Sequence, residues 1–127
     1  VKAYYAHCKS LYETPQEARD IAMLEKLGFE VVNPNSKAVR EEFERWRETY
    51  GHDVSYDPMD FFRGLAAECD VVVFRALPDG RISAGVAEEL NAAVGKGVPV
   101  LELLRGLSWR AMSVSQTREY LCEIGQR

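Results

Sequence analysis

The segment Ser83-Ala84-Gly85-Val86-Ala87-Glu88-Glu89-Leu90 places a hydroxyl, a glycine and two carboxylates within eight residues. If a helix begins there, its first N–H groups lack partners and its N-terminus carries partial positive charge, which suits an anion. Ser83 adds a hydroxyl donor, and Gly85 lets the backbone approach a ligand closely. Glu88 or Glu89, in the first helical turn, is stabilised as a carboxylate by the same field. The same residues also read as an ordinary capped helix with two dipole partners in solvent, and spacing alone leaves both readings open.

These groups must be positioned by the elements around them. Val1 to Ala6 is short, apolar and aromatic, as a buried strand requires. Thr14-Pro15-Gln16-Glu17 marks a helix start, with Thr14 as N-cap and Glu17 closing a capping box, and Gly28 ends that helix. Phe29 to Val32 reads as a second strand. Residues 37–50 read as an amphipathic helix with Val39, Phe43, Trp46 and Tyr50 on one stripe. A helix over about 59–68 follows, then the continuous apolar run Val71-Val72-Val73-Phe74, expected of a central parallel strand. Gly85 to Gly95 reads as a helix, Val98 to Leu103 as another buried strand, and 113–124 as a terminal helix. The alternation predicts a single-domain α/β protein over 1–127. Its expected form is a flavodoxin- or Rossmann-like three-layer sandwich with a parallel sheet of four to five strands. Ligands in such sheets sit beyond the carboxyl ends of the strands, here His7 to Tyr12, Asn33 to Ser36, Arg75 to Gly85, and Glu102 to Ser108.

Composition bounds the function. The 127 residues include 16 Lys and Arg against 20 Asp and Glu, a formal net charge of -4. That balance disfavours a nucleic-acid polymer as ligand, because such binding neutralises many phosphates with a basic face. Cys8, Cys69 and Cys122 are widely spaced and form neither a CxxC pair nor a metal-ligand pattern, as in a reducing cytoplasm. No apolar stretch reaches the ~20 residues of a membrane span. The expectation is a cytoplasmic protein with no metal and no cofactor.

Tyr4-Tyr5-Ala6, Cys69-Asp70-Val71-Val72-Val73, the Ser83-x-Gly85-Val86-x-x-Glu89-Leu90 turn and Gly95-Lys96-Gly97-Val98-Pro99-Val100-Leu101 occur in that order. In this the chain resembles the nucleoside 2-deoxyribosyltransferase-like superfamily over residues 1–104. The resemblance implies chemistry at the N-glycosidic bond of a nucleoside or nucleoside 5'-monophosphate, with Glu89 as nucleophile and Tyr4 hydrogen-bonded to it. A carboxylate beneath the sugar suits an oxocarbenium-like transition state and can form a glycosyl ester. Ser83 stands where the monophosphate hydrolases of that superfamily carry serine and the transferases carry aspartate, which tilts the expectation toward monophosphates. Lys9 and Ser10 would add phosphate contacts.

The chain also departs from that pattern. His7 and Cys8 stand where the superfamily has glycine; His7 is expected to be a surface loop residue or a substrate contact able to shuttle a proton. Asp60 is the nearest match to an aspartate that positions the base or donates its proton, with Asp57 a rival and helix capping the plainer role. The resemblance further implies a homodimer or larger assembly, to which Trp109, Met112 and Tyr120 would contribute. A non-catalytic nucleotide-binding module on the same fold is the alternative.

Overall fold

Four parallel strands form one sheet in the order β2-β1-β3-β4 in a computed structural model that describes residues 1–104 and 111–126. β1 (Lys2–His7) lies between β2 (Glu30–Val32) and β3 (Val71–Arg75), and β4 (Val100–Glu102) forms the far edge. The helices are α1 (Pro15–Lys26), α2 (Lys37–Tyr50), α3 (Met59–Ala67), α4 (Ala84–Gly95) and α5 (Val114–Glu123). The chain is thus an α/β protein with an all-parallel sheet, consistent with a Rossmann- or flavodoxin-like sandwich.

The period-2 geometry of a strand divides β1 between two cores. Tyr4 and Ala6 join Val72, Phe74, Ala66, Val86 and Ala93 on the face covered by α3 and α4. Ala3 and Tyr5 join Val71, Val73, Leu24 and Leu103 on the face covered by α1. Both tyrosines are wholly buried, and burying such a ring contributes about 2–3 kcal/mol. A buried hydroxyl must find an acceptor. Tyr5 donates to Asp20 at 2.6 Å, and Tyr4 donates to Glu89.

Local signals set most helix ends. Thr14 accepts the Glu17 N–H and Pro15 opens α1; Ser36 accepts the Val39 N–H at the start of α2. Gly28 adopts φ 97°, the left-handed conformation that stops α1 without a side-chain clash. The expected capping box at Thr14 is only half formed. The Glu17 carboxylate accepts the Glu13 N–H at 3.2 Å and turns toward His7, while the Thr14 N–H donates to the Leu11 carbonyl.

Two expectations need correction. His7 is the last residue of β1 and is buried, paired in register with Arg75. Its ring is held inside by α1, so it is not a surface loop residue. β4 is also shorter than expected and only partly buried. It pairs through Val100 to Glu102 alone, and at this edge Leu101 keeps 54% of its surface exposed. Among the described residues, no helix is long and apolar enough to cross a membrane.

Candidate active site at the strand ends

A cleft of about 700 Å³ opens where β1 ends and α4 begins, within the roughly 300–1,000 Å³ usual for small-molecule sites. His7, Cys8, Lys9, Ser83, Gly85 and Glu89 all line it. Six residues separated by up to 82 positions in sequence therefore meet, because parallel strands direct all their carboxyl ends to one side of the sheet.

Glu89 lies on the inner face of α4 and is 5% exposed. The Tyr4 hydroxyl donates to its Oε2 from β1. Burial is the largest influence on this carboxyl, and the adjacent Glu88 charge acts in the same direction. The Tyr4 hydrogen bond opposes both, and the balance leaves Glu89 pushed up to about 7. Tyr4 itself is driven well above its ordinary range, first by burial and then by Glu89, so it remains a donor. Glu88 points elsewhere: its carboxylate is half-exposed and pairs with Arg63 of α3 at 3.2 Å. Consecutive helical residues differ by about 100° around the axis, so one faces the cleft and the other faces α3.

Ser83 occupies the N-cap position of α4, yet its side chain makes no capping hydrogen bond. The first intrahelical bond runs from the Ala87 N–H to the Ser83 carbonyl. The N–H groups of Ala84, Gly85 and Val86 thus have no acceptor within the helix. At Gly85 an added Cβ would meet only Met59 Cε at 3.9 Å. Glycine there leaves room in the cleft and is not forced by the backbone. Across from it, Lys9 opens a single 3-10 turn, Lys9–Leu11. Polar groups of Ser10, followed by the Ser83 hydroxyl and the Lys9 N–H, hold the Cys8 thiol below its ordinary range. These donors converge on one point that can take a negative charge.

His7 is fully engaged. Its Nδ1 lies 3.0 Å from the Tyr5 carbonyl, which can only accept, so Nδ1 carries a proton. Nε2 lies 2.6 Å from Glu17 Oε2. Burial would raise Glu17, but the contacts from His7, the Glu13 N–H and Asn35 outweigh it and hold the carboxyl below its ordinary range. The imidazole stacks on Tyr5 with centroids 3.9 Å apart. Its face forms cleft floor, while neither nitrogen is free for the proton shuttle that its position suggested.

Asp60 is not brought to the cleft. It is the second residue of α3, lies on the solvent side and is held by Arg63 one turn later. It lines a separate small depression with Trp46, Tyr50 and Asp57. Asp57, its rival, caps α3 by accepting the Met59 N–H at 3.0 Å and pairs with Arg63 at 2.8 Å. Glu89 is consequently the one carboxylate lining the cleft among the described residues. No group of three or more His, Cys, Asp or Glu among them could hold a metal ion.

The rest of the lining comes from residues that carry no local signal of a site in the sequence. Tyr12 projects from the loop after β1, and burial first, then Glu89, pushes its hydroxyl up to about 12, so it too stays a donor. Arg40, Phe43 and Arg47 come from α2, and Tyr56, Met59 and Phe62 from the start of α3. The spacing of Arg40, Phe43 and Arg47 was visible as one helical face, but nothing local showed that this face turns toward the strand ends. Trp46 packs with Phe43, Tyr56 and Phe61 in the aromatic cluster behind it. Met112 and Tyr120 are about half exposed; Trp109 lies outside the described residues.

Compared with family models, curated proteins and solved structures, the chain finds no match.

Proposed function

We propose that this protein cleaves or transfers at the N-glycosidic bond of (deoxy)nucleosides or nucleoside 5'-monophosphates, with Glu89 as nucleophile. The observation that carries this reading is a carboxylate buried at the wall of an open cleft, held by one tyrosine and poised near neutrality. The other buried carboxylates among the described residues have a basic partner, Asp20 with Arg75 at 2.6 Å and Glu17 with His7 at 2.6 Å. Glu89 has no cation partner among the described residues, and a raised carboxylate in a cleft marks a functional group.

In the proposed reaction an ionised Glu89 oxygen attacks the anomeric carbon. The C–N bond breaks, its electron pair leaves with the base nitrogen, and the base takes a proton from solvent. Water, or the nitrogen of a second base, then attacks the anomeric carbon, gives up a proton to solvent and releases the carboxylate. Tyr4 spreads the charge that returns to Glu89 in this second step. The free N–H groups of α4, Ser83 and Lys9 would hold the 5'-phosphate. A nucleotide is the partner in this reading, and a cytoplasmic homodimer is its expected form.

The alternative is a nucleotide-binding module without catalysis. It is favoured by the placement of Asp60, which leaves no second carboxylic acid in the cleft among the described residues to protonate a departing base.

The test is incubation with a panel of nucleosides and monophosphates, with and without an acceptor base. Free base means hydrolysis and exchanged base means transfer. Glu89→Ala is expected to abolish both while retaining the fold. Wild-type turnover in that variant would refute the nucleophile assignment. A rise in melting temperature without cleavage would favour the binding module.

A further inference from the structure

The cleft carries charge that N-glycosidic chemistry alone does not require. Among the described residues, three cationic side chains, Lys9, Arg40 and Arg47, line it, against the single carboxylate Glu89. The chain as a whole is acidic at -4, so this excess is local to the cleft. Lys9 belongs to the anion point described above; Arg40 and Arg47 belong to a different wall.

Arg40 and Arg47 stand seven residues apart on α2 with Phe43 between them, a spacing that sets all three on one helical face. Phe43 is seated against Phe61 and Phe62 of α3, with ring centroids 5.3 and 5.0 Å away. That packing orients the face toward the cleft. Three other arginines are committed to carboxylates: Arg63 to Asp57, Asp60 and Glu88, Arg75 to Asp20, Arg81 to Asp79; none of these three lines the cleft. Arg40 has no ion-pair or hydrogen-bond partner among the described residues. Arg47 has only the exposed Glu44, 3.4 Å away and one turn earlier, a solvated pair that a ligand anion can displace. Two forked donors on a rigid element suit an oxyanion with several acceptor atoms.

We infer that Arg40 and Arg47 form a second anion subsite, so that the ligand carries a phosphoryl or carboxylate group facing α2 in addition to the group held near Ser83. This rests on the nucleotide reading above. The second anion has two sources: the terminal phosphate of a pyrophosphate-bearing nucleotide, or a carboxylate on the base of a monophosphate.

Calorimetric titration in the cold, to slow turnover, tests this on the wild-type chain and an Arg40→Gln/Arg47→Gln double variant. The probes are adenosine and uridine 5'-mono- and diphosphates, orotidine 5'-monophosphate and inorganic pyrophosphate. Both arginines are exposed on α2, so the variant is expected to keep its circular dichroism spectrum. The wild type should bind a diphosphate or orotidine 5'-monophosphate at least about tenfold more tightly than the matching monophosphate, a margin typical of one added charged contact. The variant should bring that ratio close to one. Which probe shows the advantage identifies the source of the anion. Equal affinity for all nucleotides in the wild type, or an unchanged ratio in the variant, would overturn the subsite. If no nucleotide binds, the nucleotide reading fails, and pyrophosphate decides separately. Its binding to the wild type and loss in the variant would uphold the subsite; its failure to bind the wild type would overturn it.

Discussion

Tyr4 and Glu89 show how one hydrogen bond can shift the range in which a buried carboxyl ionises. The Tyr4 hydroxyl is the contact that lowers Glu89 against burial. Tyr4→Phe should therefore move the pH midpoint of base release above about 7 and reduce the rate at pH 7; an unchanged pH–rate profile would detach Tyr4 from the reaction. Glu89 also links pH to stability. Its folded value of about 7 lies above its ordinary 4.5, so between these values the folded chain holds a proton that the unfolded chain has released. Stability conferred at low pH is then lost as pH rises through that window, by on the order of 3 kcal/mol. Glu89→Gln removes this loss and keeps an acceptor for Tyr4. Its melting temperature should gain on the wild type from pH 5 to about pH 7 and level off by pH 8, and a constant difference would show that Glu89 is not raised.

At the scale of elements, α4 supplies the anion point, the proposed nucleophile and the space between them. Gly85→Ala replaces a poor helix former, and its Cβ meets Met59 only at ordinary contact distance. The fold should hold or gain up to about 1 kcal/mol, while KM rises as the methyl enters the cleft; an unchanged KM would place the ligand elsewhere. Much of this layout is legible locally. Thr14-Pro15, Ser36 and Gly28 act on their own neighbours, so the bounds of α1 and α2 follow from short-range chemistry. Ser83-x-Gly85 likewise announces a helix start, but α4 begins at Ala84, so Glu88 and Glu89 fall in its second turn and not in the first as expected. What stays hidden depends on partners distant in sequence. His7 reads as a loop residue until Glu17 and Asn35 are brought beneath it. Asp60 reads as the nearest match to an acidic site residue, but Arg63, three residues on, holds it on the solvent side. The role of α2 as a cleft wall depends on Phe43 meeting Phe61 and Phe62 across a loop, which periodicity within α2 cannot reveal.

The whole molecule is tied together on the face opposite α4 by a buried ion pair. Asp20 of α1, 2% exposed, accepts from Arg75 Nη2 at 2.6 Å and Nε at 3.0 Å, and from Tyr5 and Gln16. Arg75 also donates to the Leu104 carbonyl at 2.8 Å, so the cluster joins α1, β1, β3 and the chain beyond β4. Arg75→Met leaves a buried carboxylate unpaired and should cost about 3–5 kcal/mol in urea unfolding; a loss under about 1 kcal/mol would mean that solvent reaches Asp20. With the scaffold fixed in this way, the acidic chain can hold a local cationic cleft over a single carboxylate. The most direct measurement is free base released from nucleoside 5'-monophosphates by wild-type and Glu89→Gln chains between pH 6 and 8.5. Wild-type release should rise through about pH 7 as Glu89 ionises, and the folded Gln variant should lose it by a factor of about a thousand or more. Undiminished release by Glu89→Gln would contradict Glu89 as the nucleophile.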